Sequence, residues 1–166
     1  MPGVTGRRVA GASTPVGADL VGSPAVNRLR AALWANAAWM AFVWVTRIRN
    51  ALGDDALSTS GQVQAYGLST LGLGGAAAMA WWARSAKPDG ETVSGVPVAG
   101  VRGVAAAHAG VWLVRGTAIA MGDRAVGFKV VHGVLAIVSI ALAAWAARSV
   151  GTASRLGAER AAVGAG

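Results

Sequence analysis

Two apolar stretches decide the fold: Val104-Ala-Ala-Ala-His-Ala-Gly-Val-Trp-Leu-Val-Arg-Gly-Thr-Ala-Ile-Ala-Met121 and Val130-Val-His-Gly-Val-Leu-Ala-Ile-Val-Ser-Ile-Ala-Leu-Ala-Ala-Trp-Ala-Ala147. Each has close to the roughly 20 residues that a helix needs to cross the hydrocarbon core of a bilayer. Only a short connector, Gly122 to Lys129, lies between them. The pattern therefore predicts a transmembrane helical hairpin.

The composition of the whole chain is that of a membrane protein. It has 166 residues, of which 54% are hydrophobic and 13% charged, whereas soluble domains carry about 25% charged residues. The net charge of +8 is attributed to arginines at the ends of membrane spans. Nucleic-acid binding is not expected, because the sequence contains no basic helix face. The absence of cysteine excludes disulfides, thiolate metal sites and iron–sulfur clusters.

Two further spans are predicted before this hairpin, at Ala31–Thr46 and Tyr66–Ala83. Tryptophan and arginine lie at both ends of the first span and at the C-terminal end of the second, as membrane interfaces favour. Ser58 or Ser60 is a candidate N-cap of the second. The predicted organisation is a disordered cytoplasmic tail (1–27), a first hairpin (28–85), a cytoplasmic loop (86–103), a second hairpin (104–149) and a flexible tail (150–166).

The two hairpins match each other in sequence. Ala80-Trp-Trp-Ala-Arg-Ser85 aligns with Ala144-Trp-Ala-Ala-Arg-Ser149, which places Leu71 on Leu135, and Trp39 aligns with Trp112. Such self-similarity indicates an internal repeat. The predicted fold class is therefore all-α, an integral membrane four-helix bundle of two like-oriented helical hairpins.

The second unit also resembles a known group of proteins. Val111-Trp112 followed by Phe128-Lys-Val-Val-His-Gly-Val-Leu-Ala-Ile-Val-Ser139 is similar to the small two-span membrane proteins of actinobacteria. Those proteins have a Trp-rich first span and a Phe-x-x-Val-His-x-Val-Leu-x-x-Val-Ser second span. The resemblance covers residues 104–149 and, more weakly, 31–85, where Tyr66-Gly67 stands near the position of the histidine. It implies a membrane architecture, here duplicated, and no particular chemistry.

The distribution of Lys and Arg predicts the orientation. They are more numerous in the tails and the middle loop than in the two connectors at the opposite end. By the positive-inside rule, both termini are expected in the cytoplasm of a bacterium, with the protein in its plasma membrane.

One charged residue, Arg115, lies inside a predicted span, roughly 9 Å from its outer boundary at 1.5 Å per residue. No span contains an acid. The favoured interpretation is that Arg115 extends outward, bonds Asp123 and stacks near Trp112. The alternative is an anion or substrate site that faces the interior of the bundle.

Three other candidate site residues lie within or near the spans: His108, Asn36 and His132. His108 and Asn36 are each about one turn inside the inner boundary, and a hydrogen bond between them would join the two hairpins; proton handling or ligand binding by His108 is the alternative. His132 lies near the outer end, where an interfacial role is favoured. The two histidines belong to opposite leaflets, so no metal or haem site is expected.

The predicted function is non-catalytic, since no catalytic motif is present and no cofactor is expected. Small residues that permit close helix packing are predicted to mediate self-association or contact with a membrane protein partner; they are Gly72, Gly74, Gly75, Ala106 and Gly110. An accessory or scaffold protein among membrane lipids is therefore favoured, without a nucleic-acid partner. The alternative is a small transporter or channel component with an anion site at Arg115.

Overall fold

Four long helices make up the structure, a computed structural model that describes residues 24–89 and 92–164. An antiparallel pair of three-residue strands connects the second helix to the third. The elements are α1 (Pro24–Leu52), α2 (Thr59–Ser85), β1 (Lys87–Asp89), β2 (Thr92–Ser94), α3 (Val98–Met121) and α4 (Val126–Gly164). The predicted all-helical architecture is confirmed; the predicted tail up to residue 23 lies outside the described residues.

Local chemistry explains where the helices begin. Pro24 is the first residue of α1, a position at which the missing N–H of proline costs nothing, so residues 24–27 are helical where a tail was predicted. Ser58 is the N-cap of α2, and its hydroxyl oxygen accepts a hydrogen bond from the Gly61 N–H at 3.2 Å. One of the two predicted caps is thereby confirmed.

All four helices are longer than the predicted spans, and two of them extend into segments predicted as non-helical loop or tail. The third helix begins at Val98, inside the segment predicted as a loop, and the fourth continues to Gly164, through the segment predicted as a flexible tail. Val150 and Ala153 are buried there together with Val101 of α3. This packing stabilises the extension, because helices in proteins gain most of their stability from tertiary contacts.

The helices form two hairpins that meet along one seam. Helix α1 packs along α2 and α3 packs along α4, while α1 also packs across α4. The Trp39 indole N–H donates a 2.8 Å hydrogen bond to Ser139 Oγ, joining α1 to α4. In contrast, α2 and α3 meet at only a few positions, so the opposite seam is open.

Two helices could cross a membrane by length and composition, α3 and the Val126–Glu159 part of α4. Their most apolar windows have mean hydropathies of 1.3 and 2.2, and only 17% and 22% of these windows is buried. A core helix of a soluble protein would be mostly buried, whereas these helices expose large apolar side chains, among them Leu113, Val114, Val134 and Ile137.

The four predicted packing glycines divide into two pairs. A Cβ at Gly72 would overlap the Trp44 indole, and one at Gly75 would lie 2.8 Å from the Met40 side chain. A Cβ at Gly74 or Gly110 would have no neighbour within 4 Å. Gly72 and Gly75 therefore pack against other parts of this chain. That Gly74 and Gly110 contact another chain stays a prediction.

We expect Gly72→Ala to lower the free energy of unfolding by about 1–3 kcal/mol, the usual cost of overpacking, because the added methyl group meets the Trp44 ring. The control Gly74→Ala should be neutral or stabilise α2 by up to about 1 kcal/mol. Thermal unfolding of both variants in one detergent measures the difference. Equal midpoints would contradict the contact between α1 and α2.

Candidate functional site

A cavity of about 500 Å³ lies where α1, α3 and α4 converge, at the end of the bundle that carries the two short connectors. Its walls include the aromatic rings of Trp44, Trp112 and Phe128. Polar side chains from both hairpins also reach it: Thr46, Arg47, Asn50, Asp54, Arg115 and His132. This cavity, with Arg47, Arg115 and His132 as its basic residues, is called the arginine pocket below.

The arginine pocket holds positive charge without a paired acid. Arg47 and Arg115 are both half-buried and lie close enough for their charges to repel each other. The Nε of Arg47 is buried and has no hydrogen-bond partner. Asp54 also lines the pocket, but its carboxylate accepts a hydrogen bond from the Ala56 N–H at 3.2 Å. Within the described residues, neither arginine forms an ion pair with it.

The predicted bond between Arg115 and Asp123 is absent from the described part of the chain, so that part of the interpretation of Arg115 is wrong. Asp123 is exposed in the connector, whereas Arg115 lines the cavity between the hairpins. Its helix position explains the difference, since Arg115 follows the buried Trp112 by three residues and therefore lies on the same inward face.

His132 adds a third basic group to the arginine pocket. Its Nδ1–H donates to the Phe128 carbonyl at 2.9 Å, one turn earlier in α4. Its ring also stacks on the Phe128 ring, with centroids 3.9 Å apart. This tautomer leaves Nε2 available for another hydrogen bond. The structure places His132 near the start of α4, in the same pocket lining as the two arginines.

A second cavity, of about 400 Å³, occupies the open seam and is called the α2–α3 cleft. Its walls are glycine, alanine and larger apolar side chains, and His108 is its one ionisable lining residue. The rings of His108 and Trp44 meet edge to face, with centroids 6.4 Å apart. Trp44 borders both cavities.

The predicted hydrogen bond between Asn36 and His108 is not formed. Asn36 is fully buried and His108 is 4% exposed, yet neither the amide atoms of Asn36 nor the ring nitrogens of His108 have a partner. His108 lies against the edge of Trp44 instead. A buried polar group without a partner costs about 1–3 kcal/mol, which makes both residues candidates for binding.

The two histidines do not form a common site. His108 lines the α2–α3 cleft, and His132 lines the arginine pocket. Among residues 24–89 and 92–164, no group of three His, Cys, Asp or Glu side chains could hold a metal ion. The chemistry that both cavities offer is therefore hydrogen bonding and, in the arginine pocket, attraction of negative charge.

Arg47 is the functional candidate that the sequence did not reveal. The sequence pattern predicts only that it is one of several arginines flanking the first span, yet it lines the arginine pocket. A signal was present, because Arg47 follows Val43 and Trp44 by four and three residues. Residues at these spacings share one face of a helix, and both neighbours are buried.

No family model, curated protein or solved structure matches this chain.

Proposed function

We propose that this protein crosses a bacterial plasma membrane four times, with both termini in the cytoplasm. The apolar outer faces of α3 and α4 support two crossings. The pairing of α1 with α2 in a hairpin of similar length supports the other two. This placement puts the arginine pocket near the outer surface, and it agrees with the resemblance to two-span actinobacterial membrane proteins.

Within this membrane placement, the proposed function is that of a small transport or channel component that takes an anion into the arginine pocket. The observation that carries the proposal is the approach of two half-buried arginines from different hairpins with no acid paired to either. Bringing like charges together in a weakly polar environment is unfavourable. An anion between them would convert that repulsion into attraction.

Several other features of the lining suit an anion as well. Arginine presents a planar set of N–H donors that can bind phosphate or carboxylate oxygens in pairs. The Trp112 indole N–H is buried without a partner and borders the same pocket. Aromatic and aliphatic side chains form much of the pocket wall, and weakly polar surroundings strengthen charge-assisted hydrogen bonds.

Titration of the purified protein tests this function. The protein is placed in nanodiscs of zwitterionic lipid, and phosphate, sulfate and chloride are added in a calorimeter. We expect saturable binding of at least one anion and a rise in the unfolding temperature with its concentration. A parallel series with anionic lipid distinguishes a free anion from a lipid headgroup, since the headgroup would occupy the pocket beforehand and suppress the heat. No heat and no stabilisation in either series would reject the function.

A second candidate function is the accessory role predicted from the sequence. The observation that favours it is a smooth outer face on α3, where a Cβ added at Gly103 or Gly110 would have no neighbour within 4 Å and Ala106 is exposed. Small residues at such positions let another membrane helix approach closely.

We expect Gly110→Leu to weaken such an association about tenfold if this face mediates it, because the larger side chain would hold the partner helix away. Gly127→Leu is the matched control, since Gly127 is equally open but lies on α4. Cross-linking of the protein in native membranes measures the effect. Unchanged cross-linking in Gly110→Leu would reject α3 as the interface.

A further inference from the structure

We propose that the α2–α3 cleft binds an uncharged, membrane-soluble molecule that has an apolar body and a carbonyl oxygen, with His108 and Trp44 as its hydrogen-bond donors. This site is distinct from the arginine pocket. It lies on the open seam between the hairpins, and its chemistry is that of a lipid-soluble ketone or quinone rather than that of an anion.

The lining of the cleft sets the character of the occupant. Leu68, Leu71, Val104 and Val111 supply apolar surface, and Gly72, Gly74 and Gly75 supply a flat wall on α2. No Lys, Arg, Asp or Glu lines the cleft, so no group there would compensate a charge on the ligand. An occupant is therefore apolar over most of its surface and uncharged.

Two polar groups in the lining of the cleft determine which functional group the ligand must carry. The His108 ring is nine-tenths buried or more, at 4% exposure, and both of its nitrogens lack a partner. The Trp44 indole nitrogen is also buried without a partner. A neutral histidine has one N–H and one acceptor nitrogen, and an indole can only donate. An acceptor oxygen on the ligand matches this pair of donors.

The dimensions argue for a slender molecule rather than a helix of another protein. The cleft has a volume of about 400 Å³, which lies within the range typical of small-molecule sites. A helix with its side chains is about 10–12 Å across, too wide to reach His108 at its present exposure of 4%. A ring or a chain segment carrying a carbonyl can enter where a helix cannot.

The internal repeat explains why this seam is open. The opposite seam is closed by the hydrogen bond from Trp39 to Ser139. In the alignment of the two hairpins Ser139 falls on Gly75, which has no hydroxyl group. Gly75 lies instead beside Met40 and Val104, and the Trp112 indole N–H has no partner. The bond that closes one seam therefore has no counterpart at the other.

The test compares benzophenone with diphenylmethane, which has the same shape but a methylene group in place of the carbonyl. The protein, labelled with ¹⁵N at its tryptophans, is titrated in detergent micelles, and the Trp44 indole signal is identified by its loss in Trp44→Phe. We expect a saturable shift of the Trp44 signal with half-saturation at about tenfold lower concentration of benzophenone than of diphenylmethane. Equal half-saturation would overturn the role of the carbonyl.

Three variants complete the test. Gly74→Leu should remove the shift by filling the cleft, whereas Gly67→Leu should retain it, because both sites are open on α2 and only Gly74 lines the cleft. His108→Phe should abolish the tenfold preference for benzophenone. Arg115→Leu should leave the titration unchanged, so the proposal for this site and the proposal for the anion site can be rejected independently of each other. A shift that persists in Gly74→Leu would overturn the proposal.

Discussion

Replacement of Arg115 by leucine is expected to weaken anion binding by roughly 10- to 150-fold, and replacement of both Arg115 and Arg47 to abolish it. The range follows from the about 1.5–3 kcal/mol that a hydrogen bond to a charged group contributes. Both side chains line the arginine pocket, and they come from different hairpins, so each should contribute to the affinity for the anion. Calorimetric titration of each variant with the anion that binds the unmodified protein measures the loss.

The stability of the anion-free protein gives this prediction a second readout. Because Arg47 and Arg115 repel each other, Arg115→Leu should leave the unfolding temperature unchanged or raise it while affinity falls. Arg49→Leu is the control: Arg49 is exposed on the same helix as Arg47 and does not line the pocket. Equal affinities of the Arg115→Leu and Arg49→Leu variants would contradict the anion site.

The second large effect is expected at the outer face of α4. Ile137 is 70% exposed in the more apolar of the two membrane-competent helices. We expect Ile137→Asp to raise the apparent free energy of membrane insertion by about 3 kcal/mol, because a carboxylate at the centre of a span would face hydrocarbon. A glycosylation-based insertion assay of the α3–α4 hairpin within the full chain measures this change.

The same substitution would have little effect in a soluble protein, because an exposed isoleucine can become aspartate there at small cost. Leu156→Asp is the control, since Leu156 is 38% exposed on α4 beyond the predicted span. We expect its insertion to match that of the unmodified chain. Normal insertion of Ile137→Asp would contradict the assignment of this face to lipid.

The long apolar runs and the Ser58 cap were sufficient to predict four helices arranged as hairpins. The helix ends were less predictable, because residues 150–164 resemble a polar tail in composition and become helical through the burial of Val150 and Ala153 against α3. Such contacts depend on residues about fifty positions apart, and local sequence does not contain them.

The candidate site was predicted in part. Arg115, His108, Asn36 and His132 were selected because polar side chains are costly in a span, and Arg115 and His132 do share a pocket. Their partners were not predictable, because alanine-rich helices have little amphipathic character. The sequence therefore does not indicate which face each helix turns toward its neighbours. The His108 ring accordingly contacts Trp44 instead of bonding Asn36, and Arg115 shares a pocket lining with Arg47 instead of bonding Asp123.

The central claim, that the chain crosses the membrane four times, is tested most directly by single-cysteine labelling, for which the absence of native cysteine is an advantage. Asp55→Cys, Asp123→Cys, Lys87→Cys and Ala158→Cys place a thiol at exposed positions at both ends of the bundle. In intact cells, we expect a membrane-impermeant maleimide to label positions 55 and 123, and to label 87 and 158 only after permeabilisation. Labelling at 123 with protection at 55 would mean that only α3 and α4 cross, and would contradict the account.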